Sequence, residues 1–103
     1  MIRQKITRPK ISNRLGGWTK LFLDSEYTQK YVADTLKVIE KEMTDLPKDL
    51  NIRVFVGAAQ IVNGTNIYLE YAILNSDIFV QSTLYIPPGK EAIVKQLFLQ
   101  KSV

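Results

Sequence analysis

Residues 52–73 read IRVFVGAAQIVNGTNIYLEYAI, and this stretch decides the fold. It is rich in β-branched residues, and from Ile67 onward its apolar side chains occupy every second position. A period of two predicts strands that turn one face toward a core. Asn63-Gly64 is a favoured pair for a type I′ turn and predicts a hairpin at this point. Gly57-Ala58-Ala59 interrupts the first strand and predicts a bulge or a bend there.

Two further strands are predicted downstream, over residues 78–86 and 93–99, where apolar residues again alternate. The turn residues at 75–77 and at 87–89 separate these strands. Short loops make neighbouring strands antiparallel. Successive turns of such a meander alternate between its two ends, so the turns at 62–64 and 87–89 are expected at the same end.

One long helix is predicted upstream, over about residues 25–44. Asp24 and Ser25 can cap its start, and Pro47 is expected to enforce its stop. A short apolar run at residues 18–23 precedes it. The fold class predicted is α+β, with one long helix packed on a four- to five-stranded antiparallel sheet. The helical positions expected to face the sheet are Val32, Leu36, Ile39 and Met43.

Composition restricts the chemistry that is open to this chain. Its 103 residues fit one domain, and they include no cysteine and no histidine. Disulfides, thiolate or imidazole metal sites and histidine-dependent catalysis are therefore excluded. We expect no metal, no cofactor and no enzymatic activity. No stretch approaches the ~20 apolar residues that cross a bilayer, so no membrane contact is expected either.

The positive charge is concentrated at one end of the chain. Residues 1–15 carry five basic side chains and no acid, whereas the other residues carry nine basic and ten acidic side chains. We expect a flexible basic extension over 1–15 and a single domain over 16–103. The extension contains no aromatic residue that could stack on bases, which favours a solvated terminus over a nucleic-acid arm. Its basic residues are Arg3, Lys5, Arg8, Lys10 and Arg14.

A family resemblance rests on three separate elements. Gln60-Ile61-Val62-Asn63-Gly64 fits the Gln-x-Val-x-Gly signature of the cystatins. Gly16-Gly17 lies upstream of the helix, near the place of the family's N-terminal glycine, and Pro88-Gly89 lies near the place of its second hairpin. The chain therefore resembles a cystatin over about residues 16–100. Because it lacks cysteine, it is most similar to the stefin type.

The resemblance implies a reversible competitive inhibitor of papain-like, cathepsin-type cysteine proteases that occludes the cleft with a three-part wedge. The glycine-containing trunk would lie on the non-primed side, the first hairpin near the catalytic cysteine and the second hairpin on the primed side. Pro87 stands where the family usually has leucine. The residues implied in protease binding are Leu15, Gly16, Gly17, Gln60, Ile61, Val62, Asn63, Gly64, Ile86, Pro87, Pro88 and Gly89.

Further expectations concern location, assembly and an alternative function. Asn63-Gly64-Thr65 is a glycosylation sequon, and a glycan there would block the wedge, so a cytoplasmic location is expected. The resemblance implies a monomer that can form a domain-swapped dimer. The alternative is a non-inhibitory cystatin-fold binding module whose basic extension binds nucleic acid or an anionic surface.

Overall fold

The chain forms one helix and five strands in a computed structural model that describes residues 4–102. The strands make one antiparallel sheet in the order β1-β2-β3-β4-β5, and the helix packs on one face of it. This α+β arrangement is compatible with a cystatin-like fold and confirms the predicted fold class. The elements are β1 Trp18–Lys20, α1 Glu26–Glu42, β2 Ile52–Val62, β3 Gly64–Ile73, the 3-10 turn Leu74–Ser76, β4 Ile78–Ile86 and β5 Ile93–Lys101.

Helix α1 lies within the predicted bounds. The Ser25 hydroxyl accepts a hydrogen bond from the Thr28 backbone N–H at 3.1 Å, which caps the first turn. The helix ends at Glu42, where Met43 takes an extended conformation with φ −118° and ψ 102°. The prediction that Pro47 enforces the stop is wrong, because the backbone leaves the helical conformation four residues before it.

The main core lies between α1 and the inner face of the sheet. Val32 and Ile39 are 2% and 0% exposed, as the helical spacing predicts, while Leu36 and Met43 pack partly buried at the margin. The alternation predicted for β3 and β4 is also observed. In β5 a register shift opposite Thr83 and Leu84 breaks it, so Val94 and Leu97 pack on the core while Ile93 is 48% exposed. The inner-face residues include Ile67, Leu69, Tyr71, Ile73, Val80, Leu84 and Leu97, all at most 1% exposed.

A bulge occurs in β2, but not at the predicted place. The register between β2 and β3 shifts at Phe55, between Val54 and Val56, whereas Gly57 pairs regularly with Leu69. Gly57 is instead a point of close approach. A Cβ there would lie 3.3 Å from the Cβ of Leu21. The glycine therefore marks where the chain before the helix crosses the sheet.

The outer face of the sheet carries a second, smaller core. Ile6 is 8% exposed and packs with Ala58 and Tyr68, which are 0% and 1% exposed. Residues 4–10, here called the arm, lie along this face. The partly buried residues around this second core are Trp18, Val56 and Phe98.

Side chains of the sheet hold the arm. The Gln81 amide accepts a hydrogen bond from the Ile6 N–H at 3.0 Å and donates one to the Ile6 carbonyl at 2.8 Å. The Arg8 guanidinium donates to both oxygens of Glu70, at 2.6 and 2.7 Å. The Tyr68 hydroxyl donates to Glu70 at 2.6 Å and accepts from Gln81 at 2.7 Å. These contacts join the arm to β3 and β4.

The described part of the predicted flexible extension, residues 4–15, therefore has a defined place on the sheet. After the arm, Ile11 forms a β-bridge with Trp18, and the Ser12 N–H donates to the Trp18 carbonyl at 3.0 Å. Arg3 lies outside the described residues. The expectation of a wholly solvated segment overlooked Ile6, whose apolar side chain finds cover only in the folded sheet.

The arm also affects the pKa of an ionisable side chain on the outer face. Burial alone pushes the pKa of Glu70 up, but hydrogen bonds from Arg8 and Tyr68 and the nearby charge of Lys5 outweigh it and hold that pKa below its ordinary value. Burial and the hydrogen bond to Glu70 raise the pKa of Tyr68, so its hydroxyl stays protonated. Glu70 is therefore a buried carboxylate that the arm neutralises.

Tyr71 and Thr35 provide a test of how α1 is fixed to β3. The two hydroxyl oxygens lie 2.6 Å apart, and Thr35 donates to the Val32 carbonyl at 2.8 Å, so Tyr71 is the donor between them. We expect Tyr71→Phe to lower the free energy of unfolding by about 1–2 kcal/mol, because a buried acceptor loses its partner. Urea denaturation measures this. Tyr27→Phe, at a side chain that is 44% exposed, is the control and should change stability by less than about 0.5 kcal/mol.

The arm should detach in acid. Because the folded-state pKa of Glu70 is lowered, its pairing with Arg8 stabilises the arm above the unfolded pKa of about 4.3 and is lost as the pH falls through the folded value. Fluorescence of Trp18, which packs in the same cluster as Ile6, should report this as the pH is lowered below about 4.3. The same transition in Glu70→Gln protein would contradict the assignment to Glu70.

Candidate functional site

The first hairpin, between β2 and β3, ends in a very tight turn. Val62 pairs with Gly64, so only Asn63 lies between the strands. Gly64 has φ +100°, which glycine adopts without strain. Asn63 is not among the residues with positive φ, so the predicted type I′ turn, which needs positive φ at both positions, is wrong.

The first hairpin rests against the end of β4. A Cβ on Gly64 would clash with the Ile86 carbonyl and would lie 2.9 Å from the Tyr85 ring. The Tyr85 hydroxyl donates a hydrogen bond to the Asn63 carbonyl. Gly64 thus allows two chain segments to touch, and Tyr85 fixes the turn from the neighbouring strand. The residue pattern around the hairpin gave no signal for the role of Tyr85.

The second loop connects β4 and β5 and begins at Ile86. The pairing of Thr65 with Ile86 places its start beside the first hairpin, as predicted from the alternation of turns. Pro87 is half-buried, while Pro88 and Gly89 are exposed. The Lys90 N–H donates to the Pro87 carbonyl at 3.1 Å and closes the loop. The two proline rings restrict the backbone of this loop.

The glycine-containing trunk forms a closed turn beside β1. The Gly17 N–H donates to the Arg14 carbonyl at 2.8 Å, and Gly16 has φ +77°. A positive φ at the third residue is typical of a type II turn. Leu15 therefore lies at a turn tip with its side chain fully exposed, at 106% of the reference value. The last two residues of the predicted flexible extension, Arg14 and Leu15, are therefore part of a closed turn.

Gln60 links the trunk to the first hairpin. Its amide nitrogen donates to the Gly16 carbonyl at 3.1 Å, and its amide oxygen accepts from the Asn66 side chain at 3.0 Å. The pairing of Trp18 with Gln60 brings the two segments together. The Gln60 side chain thus has a structural role in the unbound chain, and Asn66 is a contributor that the signature alone did not indicate.

The three turns form one edge of the molecule, here called the three-turn edge: residues 14–17, 60–64 and 86–89. All twelve site residues predicted from the sequence lie on or directly beside it. Its exposed large hydrophobic side chains are Leu15, Ile61 and Val62, with exposures of 106%, 74% and 45%. Such an edge suits contact with an apolar-lined cleft, because it exposes apolar side chains and hydrogen bonds fix its turns.

The described residues offer no alternative centre of metal chemistry. Within residues 4–102, no three His, Cys, Asp or Glu side chains are grouped so that they could hold a metal ion. No helix in the same range is long and apolar enough to cross a membrane.

Comparison with known proteins adds no family assignment: no family model, no curated protein and no solved structure matches this chain. The resemblance to cystatins consequently rests on the signature residues and on the arrangement of helix, sheet and turns.

Two glycines of the three-turn edge differ in their surroundings and allow a matched test. Gly64 has atoms of Ile86 and Tyr85 against its α-carbon, whereas a Cβ on Gly89 would meet nothing within 4 Å. Both have positive φ. We expect Gly89→Ala to cost about 1 kcal/mol for the backbone alone and Gly64→Ala to cost at least about 1 kcal/mol more. Chemical denaturation of both variants measures this, and equal costs would contradict the close packing of the two hairpins.

Proposed function

We propose that this chain is a reversible, competitive inhibitor of papain-like cysteine proteases and acts by occlusion. The observation that carries the proposal is the gathering of the Gly16-Gly17 trunk, the Gln60–Gly64 hairpin and the Ile86–Gly89 loop on the three-turn edge. These are the elements that the cystatin resemblance assigns to protease binding.

The geometry supports occlusion through rigidity and shape. Val62 is β-branched and half-exposed, so it loses little rotamer entropy when a partner buries it. Gly64 has no side chain to hold the backbone away from a cleft wall. A preformed wedge of this kind limits the entropic cost of association. A standard interface of about 1,600 Å² is then compatible with nanomolar or tighter inhibition.

The trunk enters this proposal in a modified form. Because residues 14–17 close into a turn, Leu15 would reach a protease pocket as the tip of that turn. The hydrogen bond from Gln60 to the Gly16 carbonyl positions the tip beside the first hairpin. The trunk and the hairpin would therefore bind as one preformed unit.

The sequon at Asn63 bears on where the inhibitor acts. Asn63 lies at the turn of the first hairpin, and a glycan on it would keep that hairpin out of any cleft. The proposal therefore includes action in a compartment without N-glycosylation, such as the cytoplasm.

The basic extension gives less support to the nucleic-acid alternative. Arg8 is paired with the buried carboxylate of Glu70, which reduces the positive charge available for phosphates. Lys5, Lys10 and Arg14 remain exposed, but residues 4–15 place no aromatic ring near them for stacking on a base.

Titration of papain with the purified chain tests the proposal. We expect residual activity to fall to the baseline at about stoichiometric ratio when both proteins are well above a nanomolar dissociation constant. Increasing the substrate concentration should restore activity, because the inhibition is competitive. Full papain activity in the presence of a large micromolar excess of the chain would refute the proposal.

Substitutions that introduce a single charge on the three-turn edge test whether this surface is responsible for inhibition. Ile61→Asp and Val62→Asp should each raise the inhibition constant by about 10- to 1,000-fold, because an apolar contact is replaced by a charge that must be desolvated. Leu74→Asp is the matched control. Leu74 is 45% exposed, like Val62, but lies in the turn after β3 at the opposite end of the sheet.

The control variant should inhibit within about twofold of the unmodified chain, because it lies away from the proposed interface. Circular dichroism confirms that each variant is folded. If all three substitutions weaken inhibition equally, inhibition does not arise from the three-turn edge.

A further inference from the structure

The outer face of the sheet contains a polar site that is separate from the three-turn edge. Glu70 and Gln81 are directly paired on the two central strands and are 2% and 3% exposed. The Tyr68 hydroxyl joins them, because it accepts from Gln81 at 2.7 Å and donates to Glu70 at 2.6 Å. Two buried polar side chains and a buried tyrosine thus form a connected cluster, here called the outer-face cluster.

The outer-face cluster has the chemistry of a peptide receptor. Gln81 bonds both the N–H and the carbonyl of one residue, Ile6, as a neighbouring strand would. Glu70 receives a two-point contact from Arg8, which is the geometry that distinguishes arginine from lysine. Thr7, between them, is exposed. The site therefore recognises an extended segment with an apolar residue, any residue, and an arginine.

The cluster requires a cationic ligand for a physical reason. With the arm in place, the Glu70 carboxylate is almost completely buried, and a buried charge without a partner is costly. The sheet residues in contact with it supply the Tyr68 hydroxyl but no positive charge. The arginine of an extended segment supplies that charge, so any segment that covers Glu70 as the arm does must bring a cation to it.

The arm is held by side-chain contacts, as a bound peptide ligand can be, and not by the backbone hydrogen bonds of a β-strand. Within residues 4–10, no backbone-to-backbone hydrogen bond joins the arm to the sheet. The Arg8 side chain is 62% exposed, and only Ile6 is deeply buried. A groove continues beside the arm, with Phe79 and Gln100 in its lining, where an incoming segment can begin to bind.

We propose that Tyr68, Glu70 and Gln81 form a peptide-binding site for an extended apolar–x–Arg segment of a partner protein, and that the arm fills this site as an intramolecular competitor. The site lies on the face opposite α1, so the proposal does not depend on protease inhibition. A partner segment displaces Ile6 and Arg8 and takes over the contacts with Gln81 and Glu70.

The test uses the full chain and a labelled synthetic peptide that corresponds to residues 4–10. The receptor is a full-length double variant, Ile6→Ser with Arg8→Ala, in which the arm competes weakly. We expect this variant to bind the peptide at least about tenfold more tightly than the unmodified chain, since a tethered segment competes at an effective concentration on the order of millimolar. Fluorescence anisotropy measures the dissociation constants.

Two controls locate the binding. The same peptide with Arg8→Ala should bind the double variant at least about tenfold more weakly, because it lacks the charge-assisted contact. Adding Glu70→Gln to the double variant should cause a similar loss. Equal binding of both peptides, equal binding with and without Glu70→Gln, or no binding at millimolar peptide to a folded double variant would each overturn the proposal.

A second measurement on the unmodified chain needs no variant to fold. If the arm is a displaceable ligand, the Ile6 amide should exchange its hydrogen through local opening, at least about a hundredfold faster than the protected amides of central strand β3. NMR-detected hydrogen exchange provides both rates. An Ile6 amide as slow as those of β3 would show that the arm is an integral part of the fold, and the proposal would fail.

Discussion

The fold depends on the need to bury both faces of one strand. Strand β3 lies at the centre of the sheet, and residues 67–71 are buried without a break. Its inner-face side chains are apolar and find cover under α1, which is sufficient because apolar groups need only exclusion from water. Its outer-face side chains include Tyr68 and Glu70, which additionally need hydrogen-bond partners and a counter-charge. The arm supplies the counter-charge and two hydrogen bonds to Glu70, so the two faces are closed by different kinds of interaction.

Local sequence patterns predict the helix and the strands of this fold. Ser25 caps α1, the spacing of Val32 and Ile39 orients it, and the alternation along β3 and β4 identifies the inner face. The cover of the outer face could not be read in the same way. Ile6 is a single apolar residue in a basic segment, and its burial depends on strands some sixty residues away. The carboxylate of Glu70 in a buried strand was the available signal that a cation had to come from elsewhere.

The candidate site was predictable in position but not in detail. Alternating turns place the first hairpin and the second loop at one end, and the observed register agrees. The hydrogen bond from Gln60 to the Gly16 carbonyl and the support of the first hairpin by Tyr85 arise from contacts between separate segments. Such contacts leave no periodic pattern in the sequence from which they could be predicted. The result is an edge in which each turn is held partly by its neighbours, so a change in one alters the position of the others.

The bulge at Phe55 has a consequence for how the chain behaves at high concentration. Strand β1 covers β2 only from Ala58 to Gln60, so the residues of β2 before Gly57 form an open edge with unpaired backbone groups. A long, flat edge of that kind invites a second molecule to add its own strand, which is a first step toward fibrils. The register shift between Val54 and Val56 twists and shortens the usable edge, and Arg53 adds a positive charge to it. An irregularity in the ladder thereby disfavours the addition of a foreign strand at this edge.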